Sequence, residues 1–268
     1  MDDTQFKKIL DIFNLSWQGY RRVRKGVKKR LFRHMQQMDC RDVDEYLDRI
    51  NAHPDIFQET RRLMTVSVSR FFRDRTLWEI CKEKLIPDIL SKNPDRVHVW
   101  SAGCALGQEV YSFKIIWQAI EKNHGPLPSL HVLATDLNPE YRRKAIEAIY
   151  NRHAVRDIPQ DILENFFHRF EDRYAVSDHL KTNISWEISD LTNPPRDTNR
   201  FQIIFLRNNL LTYYMREIIE TVFTRIMDNL AVGGYLIIGV RENLPCEYPC
   251  LSKWNDHPYI FCKRENRY

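Results

Sequence analysis

Apolar residues recur at helical spacing from the start of the chain. Phe6, Ile9, Leu10 and Phe13 fall three and four apart, which puts them on one face of a helix. Val43, Tyr46, Leu47 and Ile50 repeat the spacing, and Phe57, Leu63 and Met64 mark another helical segment. Leu77, Ile80, Cys81 and Leu85 share one side of a segment running from Thr76 toward Leu90, and Pro54 and Pro94 punctuate the region. From about residue 95 the period changes. Short apolar runs at 97–101, 130–135, 183–189 and 201–206 predict strands, and helical spacing over 109–121, 139–149 and 216–229 predicts helices between them. Gly233 and Gly234 lead into a strand at 235–239, and 259–263 reads as a last strand. Residues 173–177 and 180–186 are expected to pair as a small antiparallel ribbon. The pattern predicts an α/β protein: an all-helical region over 1–90, then a doubly wound parallel sheet over 91–268.

Composition narrows this further. With 268 residues, 43% hydrophobic and 29% charged, the chain can build a core and is not wholly disordered. Apolar runs such as 235–240 are too short to span a bilayer, and no charged-then-apolar signal region opens the chain. No membrane insertion is therefore expected, and the cytoplasm is the expected compartment. Cys40, Cys81, Cys104, Cys246, Cys250 and Cys262 lack paired CxxC spacing, so reduced, partly buried thiols are the expectation. Cys246, Cys250, Cys262 and His257 could just supply four metal ligands, but their spacing fits no standard zinc module, and no metal site is expected.

The net charge of +5 is unevenly spread. Between Arg21 and Arg33 there are eight basic residues and no acidic one. On a helix Arg21, Lys25, Lys28 and Lys29 share one face, while Val23, Val27, Leu31 and His34 lie opposite. Such a stripe is either the solvated side of a bundle or a dock for an acidic partner, whether carboxylate-rich protein, nucleic acid or anionic lipid. Aromatics do not interleave with the charges, which argues against single-stranded nucleic acid.

In a doubly wound sheet ligands bind beyond the carboxyl ends of the strands. The first strand ends in Ser101-Ala-Gly103-Cys-Ala-Leu-Gly107-Gln-Glu109. Only two glycines are present, and an acid opens the helix, so a pyrophosphate would be repelled there whereas a cationic cofactor would not. Asp136 at the second strand tip can accept from both hydroxyls of a ribose, or it can cap the helix that follows. Asp190, after the third strand, can meet an adenine amino group or start a turn. Arg207, Asn208 and Asn209 follow the apolar run FQIIFL, where packing gives no reason for three polar residues. Together these tips describe an adenosine pocket without phosphate-binding chemistry. S-adenosylmethionine (AdoMet) has that character.

The chain also resembles the CheR family of chemotaxis protein-glutamate methyltransferases. The likeness rests on GYRRVRKGVKKRLFRHM (19–35), SVSRFFRD (67–74), VWSAGCALGQEVYS (99–112), ATDLNPEYRRKAIEAIY (134–150), FQIIFLRNNLLTYY (201–214) and GGYLIIGVREN (233–243), in order along the chain. It implies a Rossmann-like AdoMet methyltransferase sheet, an N-terminal helical domain that docks the substrate, and a small antiparallel β-subdomain at about 166–189. It implies cofactor roles for Ser67, Ser69, Arg73, Gly103, Glu109, Asp136, Asp190, Leu191, Arg207 and Asn208, with S-adenosylhomocysteine as product. Arg73 would serve the active site; for catalysis Tyr213, or the adjacent Tyr214, could supply a hydroxyl that Thr212 lacks, unless the pair are core aromatics. Arg21, Lys25, Lys28 and Lys29 would face an acidic protein, the chemoreceptor cytoplasmic domain. The chain departs from the family pattern at Ser67 (usually Asn), at Gln108 and Val110 in the GEEPYS motif, at Thr212 (usually Tyr), and at Val240-Arg241 in the GHSE motif. Two other readings stay open: a related methyltransferase with a different substrate, and a non-catalytic AdoMet-binding signalling module.

Overall fold

A computed structural model describes residues 1–67, 69–195 and 200–265. The first five helices are α1 (Asp3–Ile12), α2 (Trp17–Tyr20), α3 (Arg24–Gln37), α4 (Val43–Ala52) and α5 (Pro54–Met64). Asp2 and Gln5 form a capping box at α1, and Asp42 caps α4 by accepting from the Glu45 amide. These helices close around one core containing Phe6, Ile9, Leu10, Tyr20, Leu31, Tyr46 and Met64, the positions whose spacing predicts them.

Core membership changes between Met64 and Phe71. Helices α6 (Arg75–Ile80) and α7 (Ile86–Ser91) flank a π-helical turn at Cys81–Leu85, and all three pack into the sheet's core with Phe71 and Phe72. The chain then alternates: β1 (Arg96–Ala102), α8 (Gln108–His124), β2 (Ser129–Asp136), α9 (Pro139–Glu147), β3 (Ile149–Asn151), α10 (Arg152–Val155), α11 (Gln160–Phe166), β4 (Phe167–Phe170), β5 (Arg173–Val176) and β6 (Ile184–Ile188). After the undescribed 196–199 come β7 (Phe201–Leu206), α12 (Leu210–Tyr213), α13 (Arg216–Asn229), β8 (Leu230–Ile238), β9 (Leu251–Lys253) and β10 (Ile260–Lys263).

The main sheet has the order β6-β2-β1-β7-β8-β10-β9, parallel from β6 to β8 and with β10 antiparallel to both its neighbours. Successive side chains of its central strands enter different cores. Val99, Val132, Ile203, Phe205 and Ile237 face α8, whereas Trp100, Leu133, Ile204, Leu206 and Ile238 face α13. Both faces are covered, which is why FQIIFL is apolar without interruption. Among the described residues no helix is long and apolar enough to cross a membrane.

Three expectations need correction. The helix expected over 139–149 stops at Glu147, where Ala148 turns left-handed (φ 55°) and releases Ile149–Asn151 as a strand. Residues 180–186 do not pair with 173–177: β5 lies between β3 and β4 in a separate antiparallel sheet, and β6 joins the main sheet beside β2. The small sheet therefore draws its first strand from outside 166–189. Gly233 and Gly234 lie within β8, whose ladder to β7 slips at Phe201/Ile203; this bulge absorbs them.

Candidate active site

The tips of β1, β2, β7 and β8 converge beneath α2, and the space between is a cleft of about 750 Å³, within the usual range for ligand sites. A smaller cavity of about 50 Å³ adjoins it and shares Val66, Gly103, Asp136, Asn209, Tyr213 and Tyr214 as walls. Gly103 stands where the two meet. Its φ is +86°, and a Cβ there would lie 2.1 Å from Asn209 Nδ2, so only glycine lets the β7 tip approach β1 this closely.

Asp136 is 7% exposed and lines both spaces. Its Oδ2 accepts from the Ala105 amide at 3.0 Å and its Oδ1 from the Asn138 amide at 3.0 Å. The helix cap belongs instead to Asn138, which accepts from Glu140 N–H. The Leu137 amide also acts on it, and since a carboxylate has about four acceptor positions, capacity remains for a ligand. Burial raises the Asp136 pKa, and the backbone amides oppose that rise.

Arg207 is the charged centre of the wall, its side chain 3% exposed. Its Nη1 donates to Glu109 Oε2 at 2.8 Å and its Nη2 to Asp74 Oδ2 at 2.6 Å. Ser101 Oγ donates to the second Glu109 oxygen at 2.8 Å. The expectation that Glu109 presents a bare charge to the ligand is thus changed: Arg207 sits on it. The loop carrying Arg73 is tied to the same guanidinium through the Arg73 carbonyl (3.4 Å), which also accepts from Trp78 Nε1 at 2.7 Å. Phe72, Asp74, Ala105 and Asn208 all have φ between 49° and 64°. Each such non-glycine residue costs about 1–3 kcal/mol, and these four lie around the site.

Glu242 and Thr212 close the far wall. Glu242 Oε2 accepts from the Asn208 amide (2.9 Å) and the Gly239 amide (2.7 Å), and Oε1 accepts from the Thr212 hydroxyl. Burial raises the pKa of Glu242, against these three donors. Tyr213 lines both spaces, and its hydroxyl has no hydrogen-bond partner among the described residues. Burial raises its pKa, and the charge of Arg73 works the other way. Helix α2 packs directly on this wall: a Cβ on Gly19 would lie 2.1 Å from the Thr212 carbonyl oxygen, and Ser16 N–H donates to the Tyr213 carbonyl at 2.7 Å.

Of the residues singled out in the sequence, Ser69, Arg73, Gly103, Glu109, Asp136, Arg207, Asn208 and Tyr213 line the large cleft, and Leu191 lines the smaller cavity. Ser67 and Asp190 line neither. Asp190 starts a turn by accepting from Thr192 N–H at 2.9 Å and pairs with Arg61, so it is Arg61 that lines the smaller cavity. Arg21 lines the cleft but precedes α3, and Lys28 pairs with Asp3, leaving Lys25 and Lys29 exposed on that helix. The stripe expected over Arg21, Lys25, Lys28 and Lys29 is therefore broken. Cys246, Cys250, Cys262 and His257 do not converge, and among the described residues no group of three His, Cys, Asp or Glu could hold a metal. Burial raises the pKa of Cys81 to about 12 and that of Cys104 well above the usual thiol range. Asn209, singled out with Arg207 and Asn208 at the strand tip, lines both spaces; Asp74 and Glu242 were missed as site residues although each lies within a block quoted above, 67–74 and 233–243.

The crevice at the strand tips, with the buried Asp136 where its two spaces adjoin, belongs to a Rossmann-like AdoMet methyltransferase fold. Residues 67–257 match the CheR methyltransferase, SAM binding domain. Chemotaxis protein methyltransferase Cher2 of Pseudomonas putida is 30% identical over 81% of this chain and 82% of its own length. Chemotaxis protein methyltransferase 1 of Pseudomonas aeruginosa is 29% identical over 83% and 84%. The chemotaxis protein methyltransferase of Listeria innocua is 26% identical over 87% of each. The chain belongs to the CheR methyltransferase family, and AdoMet is its cofactor.

Proposed function

We propose that the chain methylates glutamate side-chain carboxylates of an acidic protein, of the kind found at the methylation sites of chemoreceptor cytoplasmic domains. The observation that supports this best is the state of the cleft's acids. Glu109 is held by Arg207 and Ser101, and Glu242 by three donors. Asp136 lines both spaces and keeps acceptor capacity for a ligand. Among the described residues no imidazole lines the cleft, and the two acids gathered around Arg207 and Thr212 already accept from protein donors. A hydroxyl or amine acceptor must lose a proton; a glutamate, with a reference pKa of about 4.3, is already ionised at neutral pH.

When bound, AdoMet would supply a methyl group on a positively charged sulfur for in-line transfer to the acceptor oxygen, with a methyl ester and S-adenosylhomocysteine as the products. Asp136, with acceptor capacity left, suits the ribose hydroxyls. Leu191 and Tyr141 in the smaller cavity suit the base. Arg73 holds the acceptor carboxylate, and the Tyr213 hydroxyl supplies the donor that Thr212 cannot, because the Thr212 proton is given to Glu242. Alignment of this sort contributes on the order of 7–11 kcal/mol. A grip on the ionised acceptor that is too tight slows transfer, because its charge is lost as the bond forms.

One observation favours a different substrate. A hydroxyl or amine facing Thr212 could pass a proton toward Glu242, whose pKa is raised. Methyl-labelled AdoMet with receptor cytoplasmic fragments separates the readings. Base-labile label supports glutamate esters, and base-stable label supports the other acceptor. Tight S-adenosylhomocysteine binding without transfer to any target would leave a non-catalytic module.

A further inference from the structure

The two ends of the cleft differ in charge. Its acids lie inside, each already bonded, while the mouth away from the smaller cavity carries Arg22 and Arg241. Both side chains are exposed, and neither has an ion-pair or hydrogen-bond partner among the described residues. They come from separate parts of the chain that meet at Thr212. Arg22 follows Gly19, which packs on the Thr212 carbonyl, and Arg241 precedes Glu242, which accepts from the Thr212 hydroxyl. The cleft beside the Thr212–Tyr213 wall thus carries cations that no protein acid among the described residues neutralises, these two and the neighbouring Arg21. Guanidinium groups bind carboxylates in a paired, directional way.

We propose that Arg22 and Arg241 form a second carboxylate subsite at the cleft mouth, which grips an acidic side chain next to the acceptor in the same target segment. This rests on the reading of the acceptor as a glutamate. The subsite selects targets whose methylated residue has an acidic neighbour, and it holds that neighbour while the acceptor lies inside the cleft.

Binding tests the subsite independently of turnover. Two fluorescent peptides are compared on the full chain saturated with S-adenosylhomocysteine, one with a glutamate beside the acceptor glutamate and one with glutamine there. The wild type should bind the first about tenfold more tightly, since two exposed arginine–carboxylate pairs act together at the upper end of their usual range. In the Arg22→Gln, Arg241→Gln double variant that preference should vanish, while S-adenosylhomocysteine affinity stays unchanged and shows that the fold is intact. Equal binding of both peptides by the wild type overturns the subsite, as does an undiminished preference in the double variant. A peptide that binds with the expected preference yet gains no base-labile methyl overturns the glutamate reading alone.

Discussion

At the scale of single residues the site works through carboxylates that are buried and already engaged. Asp136→Ala should weaken S-adenosylhomocysteine binding at least tenfold, because a charged acceptor for two hydroxyls contributes about 1.5–3 kcal/mol; calorimetry giving unchanged affinity would remove Asp136 from the ribose. Glu242 makes a different prediction. Its folded pKa is raised by burial above the usual 4.5, so its contribution to stability is full below the unfolded pKa and is lost as pH rises through the folded one. Glu242→Gln can keep both backbone amides on its carbonyl and present an amide hydrogen to Thr212. The variant should gain stability relative to wild type between pH 4 and pH 7 in urea unfolding. Asp136 was legible because it directly ends an apolar run. Glu242, Asp74 and the fate of Asp190 were not, because their partners Thr212, Arg207 and Arg61 lie far away in sequence and nothing local marks the pairing.

Among elements, Arg207 joins the tip of β7 to α8 through Glu109 and to the loop before α6 through Asp74. Arg207→Ala would leave two acids facing a buried gap, and urea unfolding should show a loss of about 3–5 kcal/mol. The wall of α12 depends on α2 in a similar way. Gly19→Ala puts a methyl against the Thr212 carbonyl and should cost about 1–3 kcal/mol, seen as a lower Tm. The period of the apolar pattern gave α13 its bounds, since 216–229 shows one clean buried stripe. It failed at β3, where Ile149 and Tyr150 continue the helical spacing of Ala145. There the deciding contact is tertiary: the Tyr150 ring meets Phe71 at 4.9 Å and its hydroxyl donates to the Leu106 carbonyl. The sheet assignment of 184–188 likewise depended on β2, not on the nearby β5.

For the whole molecule, charge and connectivity matter most. Lys25→Glu with Lys29→Glu should raise the KM for an acidic protein target several-fold at low salt, with the effect fading as salt rises and S-adenosylhomocysteine affinity unchanged. Adding Lys28→Glu should also destabilise the fold, since Lys28 pairs with Asp3 and lies over the Phe6 ring at 5.6 Å. Connectivity has a consequence for biosynthesis. Strand β1 is paired on one side by β7, so Glu109 waits for a partner 98 residues further along the chain. A polypeptide emerging from the ribosome can close its amino-terminal bundle early, but its donor crevice is completed only after Arg207 and then Glu242 have left the exit tunnel. Until then an acidic helix start and a cluster of hydrophobic strand ends stand uncovered, and that interval is when the nascent protein is most exposed to aggregation.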